Sequence, residues 1–203
     1  MPIRFGAFMK IYLTNIKNIS LDRVCELNPE RAEKTAMLKI ENDKKRCIAG
    51  GLLLNRFVSG AISKNEYGKP VSDSGIEFNL SHSGEYVLLA ISEYAVGCDI
   101  EKVKFVKAER LGKIVFCENE MNKISESQDK QKAFFELWTK KESLLKCMGK
   151  GFHRSAKSVD VSGDTYTEDG IKYYFKTWCF SDYIISVCSE KNDFPKNPEF
   201  IEL

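Results

Sequence analysis

The sequence predicts a mixed α/β (α+β) protein built as two similar halves. Three observations carry this. Short strand-like runs and longer helix-like runs alternate along 203 residues. Glu85–Glu93 (EYVLLAISE) echoes Asp182–Glu190 (DYIISVCSE) at an offset of 97. At an offset of 91, Leu53-Leu54 in one long helical run returns as Leu144-Leu145 in another, and Gly60 as Gly151. Strands resemble one another for physical reasons, so duplication and coincidence both stay open. Duplication makes the cleft between the halves the natural ligand site. The expected division is 1–101 and 102–203, with residues 1–8 an extension ahead of a strand that starts near Met9.

Each element has a local reason. Lys10–Ile16 alternates polar and apolar residues, the period of a strand. Asn28-Pro29-Glu30 starts a helix: Asn28 can cap, Pro29 suits the first turn, and Glu30 faces the positive end of the dipole. Ala32, Ala36 and Ile40 continue it at helical spacing. A second helix runs from about Lys44 to Val58; its Gly50-Gly51 pair costs roughly 1 kcal/mol per glycine against alanine, which signals a close neighbour. Gly68, Pro70 and Gly75 make 65–75 a loop. Ile76–Leu80, Tyr86–Ser92 and Val96–Glu101 read as strands, and Lys102–Lys113 is locally basic. A helix spans about Asp129 to Met148, followed by strands near Ser158–Val161, at Ile171–Phe180 and at Tyr183–Ser189. The polar tail from Glu190, with Pro195 and Pro198, is expected to wrap a surface.

Composition narrows the class. At 43% hydrophobic and 30% charged residues the chain can bury a core. Lys plus Arg is 31 against 29 Asp plus Glu, a net charge of +2 that argues against a nucleic-acid binder. No run approaches the roughly 20 apolar residues of a membrane span, and Lys10 interrupts the N-terminal stretch, where no signal-peptide pattern occurs. Seven cysteines without a C-x-x-C fit reduced thiols of a cytoplasmic protein. With only His82 and His153, a zinc site lacks ligands.

Three clusters bear chemistry. Asp99 and Glu101 lie two apart on a strand and share a face. Two carboxylates roughly 6 Å apart repel by about 3 kcal/mol at an effective dielectric of 20. An exposed strand end tolerates that; a partly buried pair needs a cation, and hard oxygens without imidazole suit magnesium. Glu142 and Lys146 have the spacing of a surface salt bridge. On the helical wheel, however, they lie with Phe135, Trp138 and Leu145 beside the Phe134, Leu137, Leu144 and Met148 stripe, where charges need a ligand or metal. Lys132, Glu136, Lys140, Ser143 and Cys147 form the far side. Asn79-Leu80-Ser81-His82-Ser83-Gly84 offers hydroxyls, amides and an imidazole to phosphate oxygens; a Ser-His nucleophile pair and a structural His82 are the other readings. Arg31, Lys34, Arg46 and Lys69, taken singly, read as solvated charges.

In order, Asn79-Leu80-Ser81-His82-Ser83, Val96-Gly97-Cys98-Asp99-Ile100-Glu101 and Trp138-Thr139-Lys140-Lys141-Glu142-Ser143-Leu144-Leu145-Lys146 resemble the signature motifs of 4'-phosphopantetheinyl transferases, of the two-lobed surfactin-synthetase-activating type. The likeness extends to 28–34, Tyr67-Gly68-Lys69-Pro70, 116–120 and Gly149-Lys150-Gly151. Arg31 stands where lysine is frequent, and Cys98 where a branched aliphatic residue is usual.

The resemblance implies two α/β lobes about a pseudo-twofold axis, with coenzyme A as substrate in the cleft between them. It implies Mg2+ on Asp99, Glu101 and Glu142, and phosphate contacts from Lys146 and His82. Arg31, Lys34 and Arg46 would lie near the 3'-phosphate, with Lys69, Pro70 and Ser81 along the nucleotide. Glu142 is the candidate base. The implied partner is the apo form of an acyl or peptidyl carrier protein, of fatty acid, polyketide or non-ribosomal peptide synthesis. The basic 102–113 run, with Phe105 and Leu111, suits such an acidic helical domain; a solvated face is the other reading. A monomer is expected. Two rivals stay open: a magnesium-dependent nucleotide pyrophosphate hydrolase, and a non-catalytic module that binds coenzyme A or a carrier.

Overall fold

The structure is a computed structural model and describes residues 9–149 and 156–203. The extension at 1–8, Lys150, Gly151 and His153 lie outside the described residues. The first half contains β1 (Lys10–Asn15), α1 (Pro29–Met37), α2 (Glu41–Phe57), a small hairpin of β2 (Ile62–Lys64) and β3 (Pro70–Ser72), then β4 (Glu77–Ser83) and β5 (Tyr86–Ser92). The second contains β6 (Val96–Lys102), α3 (Ala108–Val115), α4 (Glu118–Glu126), α5 (Lys130–Met148), β7 (Thr165–Glu168), β8 (Ile171–Phe180), β9 (Tyr183–Ser189) and β10 (Glu199–Phe200). One sheet runs β10-β1-β5-β4 and the other β6-β9-β8-β7.

The echo has a physical basis. β5 and β9 are central strands buried on both faces, so each reads as an almost unbroken apolar run. Their alternation sorts side chains between cores. Val87 and Leu89 of β5 pack with Ile48, Leu52 and Leu53 of α2. Ile184 and Cys188 of β9 pack with Leu137 and Leu144 of α5. The opposite faces, Leu88 and Ala90 with Ile185 and Val187, meet in a shared apolar layer that joins the lobes. The hairpins even align in register: Ser83 pairs with Tyr86, and Phe180 with Tyr183, 97 residues on.

The division expected after Glu101 falls inside β6, which pairs with β9 in the second sheet. The tail returns to the first sheet, where β10 runs parallel beside β1.

Glycines mark close approaches. A Cβ on Gly51 would lie 2.5 Å from Leu27 Cδ2 and 2.7 Å from Arg31 Cδ, which bears out the neighbour expected there. A Cβ on Gly97 would lie 2.1 Å from the Ser143 carbonyl oxygen and 2.3 Å from the Cys147 amide nitrogen. Helix α5 therefore rests directly on β6.

This contact corrects the helical wheel. Ser143 and Cys147, expected on the solvent side, are buried, because β6 covers a face that the apolar stripe does not use. Other readings also change. Helix α1 stops at Met37, and Ile40 is 62% exposed rather than part of its apolar face. The 65–75 loop contains β3. The basic run continues into α3, an element its charge pattern hid, with Ala108 and Gly112 buried and Phe105 and Ile114 exposed.

No strand forms at 158–161. There Lys141 Nζ takes the Val159 carbonyl at 2.7 Å and Glu120 takes the Val161 amide at 2.9 Å, which removes the groups a strand would offer a neighbour. All seven cysteines are free thiols, and Cys98, Cys147 and Cys188 are buried. Among the described residues, no helix is long and apolar enough to cross a membrane.

Candidate active site

The site lies where the edge strands β4 and β6 meet. Asn79, Ser81 and Ser83 alternate along β4 and present their side chains to the backbone of β6. Asn79 Oδ1 accepts from the Cys98 amide at 2.9 Å, Ser81 Oγ from Ile100 at 3.4 Å, and Ser83 Oγ from Lys102 at 3.1 Å. Both hydroxyls also hold a carboxylate: Ser81 donates to Asp99 Oδ1 at 2.8 Å and Ser83 to Glu101 Oε2 at 2.7 Å.

Helix α5, seated on Gly97, adds Glu142 and Lys146. Lys146 Nζ lies 2.6 Å from Asp99 Oδ1 and also donates to the Cys98 carbonyl at 3.2 Å and to Ser81 Oγ at 3.3 Å. Asp99 is only 4% exposed, and its other oxygen, Oδ2, has no hydrogen-bond partner. Burial pushes the Glu101 and Glu142 carboxyls above their ordinary pKa; Asp99 adds to both, while the Ser83 hydroxyl and the Lys146 ammonium respectively oppose. Burial works against the Lys146 ammonium, but Asp99 and Glu142 outweigh it and leave its pKa above the usual lysine value. His82 is held below its usual value, first by desolvation and then by the Arg46 guanidinium.

Three cavities adjoin. The inner one, about 370 Å3, is lined by Ser81, His82, Asp99, Glu101, Trp138, Glu142 and Lys146. The next, about 280 Å3, shares Glu142 and Lys146 and adds Tyr67, Gly68, Lys69, Pro70 and Asn79. The outer, about 350 Å3, shares Gly68 and Pro70 and adds Arg31 and Lys34. Arg46 does not line these cavities: it pairs with Asp43 and donates to the Gly84 carbonyl at 2.5 Å. Lys69 pairs with Glu77 at 3.2 Å.

The carboxylates share a cavity without meeting at ligand spacing. Among the described residues, the one trio of metal-capable side chains whose ligand atoms all lie within 4.8 Å of one another is Cys117, Glu120 and Asp160. That trio is already bonded: Glu120 takes Lys141 at 2.7 Å, and Asp160 takes Asn119 at 2.8 Å. A larger cavity of about 890 Å3 on the second lobe contains none of the candidate residues, and its Lys123 and Lys140 are engaged by the Ser162 and Gly163 carbonyls.

Sequence reasoning brought Asp99, Glu101, Glu142, Lys146, Ser81 and His82 to one place, and the structure puts them around one cavity. It named Ser83 as one of the hydroxyls of the 79–84 segment but not as a partner of Glu101, although Ser81 and Ser83 share the two-residue spacing of Asp99 and Glu101. It also missed Lys141, buried one residue before Glu142 and paired with Glu120.

These features define a class: a two-lobed α/β protein with clustered carboxylates and a lysine around a cavity at the lobe junction. A family model described as the 4'-phosphopantetheinyl transferase superfamily matches residues 95–188. The 4'-phosphopantetheinyl transferase Sfp of Bacillus subtilis (strain 168) is 30% identical over 192 residues, covering 84% of this chain and 85% of that protein. The 4'-phosphopantetheinyl transferase gsp of Aneurinibacillus migulanus is 37% identical over 139 residues, 62% of this chain and 58% of its own length. The 4'-phosphopantetheinyl transferase AcpT of Salmonella typhimurium is 37% identical over 110 residues, 50% of this chain and 57% of that protein. The chain belongs to the 4'-phosphopantetheinyl transferase superfamily and is an enzyme of that class.

Proposed function

We propose that this enzyme moves the 4'-phosphopantetheine group of coenzyme A onto a serine of an acyl or peptidyl carrier protein and releases 3',5'-ADP. Coenzyme A lies along the three adjoining cavities. Arg31, Lys34 and Arg46 lie near its 3'-phosphate. Lys69, Pro70 and Ser81 flank the nucleotide, and Lys146 and His82 face the pyrophosphate.

The observation that carries the reading is Asp99: a buried carboxylate with one oxygen held by Lys146 and Ser81 and the other unpartnered, in the cavity of Glu101 and Glu142. An acid set of this kind, short of positive charge, fits a hard divalent cation. Asp99, Glu101 and Glu142 are the residues that would hold Mg2+, and the ion would supply charge neutralisation at the pyrophosphate. Lys146 supplies further positive charge to the same oxygens. The carrier serine oxygen bonds to the phosphorus bearing pantetheine as the bond to the bridging oxygen breaks; its proton passes to Glu142, directly or through water, and the leaving phosphate stays with ADP. Trp138 and Leu80 wall the inner cavity.

The carrier docks on the basic 102–113 segment, where Phe105 is 85% exposed. The enzyme works as a cytoplasmic monomer, each lobe having its neighbour in the same chain. Intact-mass analysis of an apo-carrier with coenzyme A and Mg2+ tests the reading. A gain of about 340 Da, estimated from the arm's formula, supports it. Breakdown of coenzyme A without a carrier points to a hydrolase, and binding without a mass gain to a non-catalytic module.

A further inference from the structure

We propose that Ser83 is a positioning residue that aims Glu101 into the site. Ser81 and Ser83 repeat one arrangement two residues apart. Each hydroxyl accepts a β6 amide, Ile100 or Lys102, and donates to the carboxylate one residue earlier, Asp99 or Glu101. The geometry fixes the direction of the proton. The Lys102 N–H can only donate, so it occupies an acceptor position on Ser83 Oγ. The single hydroxyl proton then faces Glu101 Oε2 at 2.7 Å, a charge-assisted contact. Glu101 is half-buried and, among the described residues, has no other hydrogen bond, whereas Asp99 has both Ser81 and Lys146. Ser83 is itself held in place: it pairs with Tyr86 across the β4–β5 hairpin, and Gly84 in the turn has φ of +54°.

The inference rests on reading Glu101 as a ligand of the divalent cation. Groups that orient metal-binding side chains are worth about 10–100-fold in metal affinity. The test is Mn2+ titration by electron paramagnetic resonance on the full chain with saturating coenzyme A, which needs no turnover. Ser83→Ala is expected to weaken Mn2+ binding roughly tenfold. Ser83→Thr, which keeps the hydroxyl, stays within about twofold of the parent. In a Glu101→Gln background, Ser83→Ala adds no further loss.

Unchanged Mn2+ affinity in Ser83→Ala overturns the proposal, as does an equal loss in the Glu101→Gln background, which would place the effect in the lobe seam. If Glu101→Gln alone leaves Mn2+ affinity intact, the reading of Glu101 as a ligand fails first and separately. If Ser83→Ala does not fold, Ser83→Cys, similar in size and a weaker donor, is judged by the same outcomes.

Discussion

Replacing Gly97 by alanine attacks the contact that sets the site's geometry. The new Cβ would sit 2.1 Å from the Ser143 carbonyl oxygen and 2.3 Å from the Cys147 amide nitrogen. Both are backbone atoms of α5 and cannot rotate away. Real Cβ contacts essentially never fall below 3.0 Å, so the helix and β6 must separate by about 0.9 Å. Overpacking of this kind costs about 1–3 kcal/mol, or about 2–12 °C in Tm for a chain of this length. The functional loss is of similar size. Glu142 lies one residue before Ser143 and Lys146 one before Cys147, so the retreat opens their approach to Asp99 and Glu101. Misplacement of catalytic groups by about 1 Å costs about 100-fold in rate.

The assay is carrier modification at saturating coenzyme A, Mg2+ and carrier, well below the variant's Tm, alongside thermal melting. Gly51→Ala is the control. Its Cβ meets Leu27 Cδ2 and Arg31 Cδ, ends of flexible side chains that can move, so the chemical rate changes little. A Gly97→Ala enzyme with parental Tm and a rate within twofold would refute the reasoning.

Lys141→Met leaves Glu120 buried and unpaired, at a cost of about 3–5 kcal/mol or about 6–20 °C in Tm. Adding Glu120→Gln removes the orphaned charge and recovers part of that loss; a single variant melting within 2 °C of the parent would show the pair to be idle. Glu142→Gln is expected to raise Tm at pH 8 while transfer falls. The folded carboxyl titrates above its ordinary value, so the folded state carries a penalty at high pH that fades as pH drops through that raised pKa, and the Tm advantage should narrow on acidification. An advantage independent of pH would contradict this. Lys107→Glu with Arg110→Glu should raise the carrier KM several-fold and leave the coenzyme A KM alone, read by steady-state kinetics.

The central strands were legible because burial on both faces writes an unbroken apolar run, as in β5 and β9. Helix α1 was legible at its start: Asn28 accepts from the Arg31 amide at 2.9 Å, as its capping role predicts. Its end was not, because Ala36 and Ile40 have helical spacing but face solvent. Helices α3 and α4 were hidden since their burial rests on few residues, Ala108 and Gly112 in one and Glu120 and Ile124 in the other. The far side of α5 reads as polar in sequence, yet the backbone contact at Gly97 buries its Ser143 and Cys147.

The candidate site was legible as a whole through the resemblance of its motifs; spacing within single elements gave only local faces, as with Asp99 and Glu101. Lys141 and Glu120 were not: a buried ion pair 21 residues apart leaves no periodic trace. Nor could spacing reveal that Lys146 sits against Asp99, or that Arg46 pairs with Asp43 and donates to the Gly84 carbonyl.

A crystal of the enzyme grown with coenzyme A and Mn2+, measured at the manganese absorption edge, tests the account most directly. We expect one anomalous peak between the Asp99, Glu101 and Glu142 carboxylates and the pyrophosphate. A peak at Cys117, Glu120 and Asp160, or bound coenzyme A with no manganese beside Asp99, would contradict it.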